Sequence, residues 1–169
     1  MASSLQSAIN SLATYFPATE SQTRYSEIYE DNCHRIYSLA FWMTDNELTA
    51  EQLSANAFLR AFAMAEQPTC DQIDRAFITE VRESTLIGTL TLHCAISPET
   101  RTIYGNIKRI QLERAVVQLP ATEKLIFLMH DVDSYEHSRI ARLLGLTEEE
   151  SRLGLHQARV QIRALIAQM

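Results

Sequence analysis

The chain has 169 residues, 46% hydrophobic and 21% charged, with a formal net charge of −6; this excludes a disordered polymer and suits one medium or two small globular units. Only 4 Gly and 4 Pro supply too few turns for an all-β protein, so an all-α fold is expected. No apolar run approaches the ~20 residues of a membrane span, and no basic n-region follows Met1, so a cytoplasmic location without membrane contact is expected.

Leu5, Ile9, Leu12 and Phe16 stand at helical spacing and Pro17 stops the run, which predicts a short amphipathic arm over 1–20. It either lies on the body of the protein or binds a partner. From Ser21 to Thr44, Tyr25, Ile28, Tyr29, Ile36, Tyr37, Ala40 and Met43 recur every three or four positions, the pattern of a long amphipathic helix. Asp45-Asn46-Glu47 breaks it, and Thr49 with Gln52 predicts the capping box of a second helix that buries Leu53, Phe58 and Phe62. After Pro68-Thr69, Ile73, Phe77 and Val81 predict a third helix to about Cys94. Its second half, Leu86, Leu90 and Leu92 among threonines, also fits a strand. These elements form a front unit over 21–95, and Pro98 and Gly105 mark a linker over 96–105.

The rear unit, 106–169, begins with Ile107, Ile110, Leu112 and Val116 on a helix ending at Leu119-Pro120. Thr122 opens the next, which carries Leu125, Ile126, Leu128 and Met129. A short helix near Tyr135–Leu143 follows, then a turn at Gly145 and a last helix from about Glu148 to Ala167. Ile140, Leu143 and Leu144 bury one face, Gly145 takes the turn, Leu146 plugs the corner and Thr147 caps the final helix. That is a helix-turn-helix, and its second helix is the candidate reader of a major groove. The charge agrees with this placement. Arg24, Arg35 and Arg60 face eight acids in 1–66, whereas 106–169 holds nine Lys and Arg against eight Asp and Glu.

Leu112–Ile166 resembles the C-terminal promoter-binding domain of bacterial RNA polymerase sigma factors, the extracytoplasmic-function group in particular. The residues that carry the resemblance are Leu119-Pro120, Leu125-Ile-Phe-Leu, Asp131-Val-Asp-Ser-Tyr-Glu-His, Ile140-Ala-Arg-Leu-Leu-Gly-Leu and Leu155-His-Gln-Ala-Arg, in the family's order and spacing. Tyr29, Ile36-Tyr37, Ala50-Glu51 and Phe58-Leu-Arg-Ala61 are similar to the family's polymerase-binding helices. The resemblance implies two helical domains, DNA contact through Ser151, Arg152, His156, Gln157 and Arg159, and polymerase contact through Gln52, Leu53, Ala55, Asn56 and Leu59. It implies RNA polymerase core and promoter DNA as partners, an anti-sigma factor as a further one, and no cofactor.

The chain also departs from the family. Where the family carries charges toward the polymerase, the second helix has Gln52, Ala55 and Asn56. The stretch Arg75–Ser84 keeps Phe77 as its one aromatic and adds Glu80 and Glu83, which oppose a phosphate backbone. Glu149 and Glu150 replace small and hydroxyl residues at the start of the last helix. Promoter binding weaker than the family's norm is therefore expected. Leu155, Ala158, Ile162 and Leu165 form that helix's buried stripe, beside Arg152, His156, Arg159 and Arg163 and an apolar ridge of Leu153 and Val160. Gly154 implies close packing or drift.

Two functions follow: a sigma-type initiation factor, or a degenerate sigma fold that binds polymerase, an anti-sigma factor or another regulator without reading DNA. No catalytic constellation supports an enzyme. His130-Asp131 looks like a dyad, but neighbours on a helix point about 100° apart. Cys33, Cys70 and Cys94 lack metal-ligand spacing and read as reduced thiols in or near a core.

Overall fold

The structure, a computed structural model, describes residues 20–93 and 108–169. Among them there are seven α-helices and no strand, so the fold is all-α. A front group comprises α1 (Glu20–Thr44), α2 (Glu47–Met64) and α3 (Cys70–Ser84). A rear group comprises α4 (Arg109–Val117), α5 (Ala121–Phe127), α6 (His137–Leu144) and α7 (Glu148–Ala167), with a π-helical turn at Leu128–Val132 after α5. The expected helix at 3–16 and the linker over 96–105 lie outside the described residues.

The helix ends follow local chemistry. Asp45 closes α1 in the left-handed region (φ 51) and donates its N–H to Phe41 O at 2.8 Å. The N-cap of α2 is Asn46 and not Thr49, because Asn46 has extended backbone and its Oδ1 accepts both the N–H and the hydroxyl of Thr49. A short amide reaches those donors at the third helical position, where Thr49 itself already lies. Thr69 caps α3 in a full capping box with Gln72. Helix α3 then stops at Ser84, short of Cys94. Gly88, at φ +101, has a backbone closed to a helix, and a Cβ there would come within 2.8 Å of Leu144 O.

Residues 85–93 form an extended strap that is neither helix nor strand. Three of its backbone donors go to side chains of the rear group. Gly88 N–H donates to Thr122 Oγ1 at 3.2 Å, and the N–H groups of Thr91 and Leu92 donate to Glu123 Oε1 at 2.5 and 2.8 Å. Glu123 is fully buried; its carboxylate takes the place of a neighbouring strand.

Front and rear share one apolar core. Ile36, Leu39, Phe58, Ile73 and Phe77 belong to the same cluster as Leu125, Met129, Ile140 and Leu155. At its outer end Tyr25 meets Phe62 edge-on (5.1 Å between ring centres) and Tyr29 meets Phe58 at 4.8 Å. Two cations cross the seam to cap helix C-termini. Arg82 of α3 donates to Leu144 O of α6 at 2.8 Å, and Lys124 of α5 donates to Val117 O at 2.7 Å and Trp42 O at 3.4 Å. Burial lowers the Lys124 pKa against the pull of Asp45. Of the thiols, Cys33 is half-buried but Cys70, the first residue of α3, is exposed and not near the core.

Candidate nucleic-acid interface

Helix α6, the corner and α7 make the helix-turn-helix. Ile140, Leu143 and Leu144 are buried, Gly145 adopts φ 74, and Leu146 donates its N–H to Ala141 O at 2.9 Å while packing half-buried on the core. Thr147 opens α7 in a capping box: Glu150 N–H donates to Thr147 Oγ1 (3.2 Å), and Thr147 N–H donates back to Glu150 Oε2 (2.7 Å). These bonds hold the Glu150 carboxyl below its usual range. The Glu150 carboxylate therefore folds onto its own helix.

The exposed face of α7 carries Arg152, Leu153, His156 and Arg159, with Val160 and Arg163 half-buried beside them. Its arginines have acidic partners. Arg152 pairs with Glu148 one turn earlier, and Arg159 grips Asp131 of the π turn through both carboxylate oxygens, at 2.6 and 3.0 Å. Ser151 and Gln157 do not join this face. Ser151 is fully buried, its hydroxyl 3.0 Å from His137 Nδ1, and Gln157 is turned inward. Gly154 is a close approach: a Cβ would meet Ile126 Cδ1 at 2.5 Å and Leu90 Cδ2 at 2.8 Å, so the strap sits directly on α7.

His130 and Asp131 do meet, Nδ1 to Oδ1 at 2.8 Å. The angular argument from a regular helix fails here because side-chain torsions swing the ring toward its neighbour in a widened turn. The His130 ring also stacks on His137, centres 4.5 Å apart. Asp131 serves as the anchor of Arg159.

Helix α2 exposes Gln52, Asn56 and Leu59, with Leu53 and Ala55 half-buried. Leu48 (75% exposed) and Leu59 (69%) add apolar area to that surface. Glu80 and Glu83 are held by Arg60, so they do not stand as unpaired charges.

Sequence reasoning missed a polar cluster on the seam. Asp74 of α3 is 1% exposed and accepts from Arg35, from Tyr135 Oη at 2.8 Å and from Arg139 at 2.8 Å. Arg35 also donates to Tyr135 Oη (2.7 Å) and Asn32 (2.9 Å). Burial and then Asp74 push the Tyr135 phenol upward. The available signal was Asp74 itself, placed at helical spacing with Ile73, Phe77, Ile78 and Val81 on the apolar face, where a carboxylate requires a cation.

Residues 109–162 match the family model described as Sigma-70, region 4. The rear unit resembles a sigma region 4 domain. Such a domain is the promoter-recognition part of sigma-type factors, which are transcription initiation factors and not enzymes. No curated protein matches the chain. Among the described residues, no group of three or more His, Cys, Asp or Glu is placed to hold a metal. No described helix is long and apolar enough to cross a membrane.

Proposed function

We propose that the protein is a sigma-type initiation factor, with residues 21–95 docking on RNA polymerase core and 106–169 contacting promoter DNA. The observation that carries this reading is the exposed Arg152–His156–Arg159 face of α7 on a capped helix-turn-helix that matches region 4. An arginine face of this kind contacts phosphates and base edges. Ser151 and Gln157 act in this reading as supports of the helix. Glu148 and Asp131 must share or release their arginines when phosphate binds, which weakens promoter contact. Polymerase docking is assigned to the outer face of α2, through Gln52, Leu53, Ala55, Asn56 and Leu59, and the exposed Leu48 beside them supports it.

The second reading, a sigma fold that binds polymerase, an anti-sigma factor or another regulator without reading DNA, is favoured by the acid partners on the α7 arginines and the exposed Leu153 (50%). Co-purification with core polymerase followed by a promoter-dependent transcription assay separates the two. The first reading requires transcription that Arg152→Ala and Arg159→Ala impair, each lowering the salt dependence of DNA binding by about one charge. Polymerase binding without promoter-dependent transcription establishes the second.

A further inference from the structure

Arg139 lies on α6, the first helix of the helix-turn-helix, the one that crosses the sugar-phosphate backbone when such a motif docks. Here it is turned to the front group. Its Nη2 donates to Asp74 Oδ2 at 2.8 Å and pairs with Asp71, whose Oδ1 lies 2.7 Å away, and its guanidinium lies 3.9 Å above the Tyr135 ring. Two carboxylates beside one guanidinium supply the negative charge that a phosphate group supplies. The fit is incomplete, because Arg139 Nε is buried without an acceptor.

We propose that Asp71 and Asp74 are a built-in phosphate mimic that holds Arg139, so that nucleic acid binds by displacing Asp71 from Arg139 while Asp74 stays in the seam. This deepens the DNA-binding reading above and rests on it. The two aspartates have different parts. Asp74 is tied to Arg35 and Tyr135 as well as to Arg139 and belongs to the core of the seam. Asp71 is 40% exposed at its side chain and has Arg139 as its ion-pair partner, which makes it the releasable half of the mimic.

The test uses the full chain with Asp71→Asn, with Glu51→Gln on exposed α2 as a control that removes the same charge away from the seam. A third variant combines Asp71→Asn with Arg139→Ala, and circular dichroism verifies that all are folded. Binding of a short random-sequence DNA duplex is followed by fluorescence anisotropy across a salt series. Asp71→Asn is expected to bind about threefold or more tighter than Glu51→Gln, and to steepen the salt dependence by about one phosphate contact. Adding Arg139→Ala should cancel both gains. If the native chain binds the duplex and Asp71→Asn matches the Glu51→Gln control, or its gain survives Arg139→Ala, the mimic is refuted while the DNA reading stands. If no variant binds duplex even at low salt, the DNA reading fails and the mimic with it.

Discussion

Asp131 and His137 show how single residues couple the helix-turn-helix to pH. Burial disfavours the Asp131 carboxylate, but hydrogen bonds from Arg159 and His130 outweigh it and hold its pKa below the usual 3.8. Burial, then His130 and Arg152, lower His137 from its ordinary 6.5 against Glu148 and Glu136. Both shifts act in one direction. A histidine that resists protonation in the fold is protonated first in the unfolded chain, so stability is lost as pH falls through about 6.5. A carboxylate with a depressed pKa adds its loss below about pH 4. Thermal unfolding followed by circular dichroism should therefore show a midpoint that drops between pH 7 and 5.5, and His137→Gln should flatten that step. Gly154 supplies a second test. Alanine would gain about 1 kcal/mol in helix propensity, but its methyl meets Ile126, which has no room to retreat, and Leu90. Overpacking costs typically 1–3 kcal/mol, so Gly154→Ala should destabilise, and Leu90→Ala should relieve part of that cost in a double-mutant cycle.

At the scale of an element, the start of α7 carries three consecutive acids whose roles differ. Glu148 pairs with Arg152, Glu150 closes the capping box, and Glu149 is exposed. On composition all three oppose a phosphate backbone, yet the geometry separates them. Glu149→Gln should tighten duplex binding in a titration at low salt. Glu150→Ala should instead lower stability, as should Thr147→Ala by about 1 kcal/mol, because each opens the cap. Equal effects of the two glutamate changes on binding, with no loss of stability, would show that the cap does not hold Glu150 back. The outer face of α2 has its own test. Gln52→Glu with Asn56→Glu restores acids on an exposed, apolar-flanked surface. Titration against core polymerase should show stronger binding, since a charged hydrogen bond in an interface contributes about 1.5–3 kcal/mol. No gain would place the polymerase contact on other residues.

The whole molecule is held by exchanges across a seam. Lys124 caps the last turn of α1 and the end of α4, Arg82 caps α6, the strap is pinned by Glu123, and Asp74 collects Arg35, Tyr135 and Arg139. Buried ions without partners are costly, so front and rear cannot part without exposing several such groups to rearrangement. A single cooperative calorimetric transition is the expected outcome; two separated transitions would show that the seam is weak. Lys124→Met should lower the midpoint, because Val117 O and Trp42 O lose their donor, a change worth about 1–3 kcal/mol when the carbonyls stay buried.

Local pattern was enough for the helices. Ile140, Leu143 and Leu144, the Gly145 turn and the Thr147 cap are interactions within a few residues, so the sequence by itself determined the all-α class, the corner and the start of α7 at Glu148. Capping at Asn46 in place of Thr49 was a near miss of the same local kind, between two residues that both accept a backbone donor. Tertiary structure decided the rest. Whether residues 85–93 became helix, strand or strap depended on Thr122 and Glu123 more than thirty positions away, and on Gly88 lying under Leu144 O. Whether Arg152 and Arg159 stood as open cations depended on where Glu148 and Asp131 came to lie, and Ser151 and Gln157 were drawn inward by packing that no spacing rule records. Charge and hydrogen-bond partners are chosen by proximity in space, and a linear pattern carries only proximity along the chain.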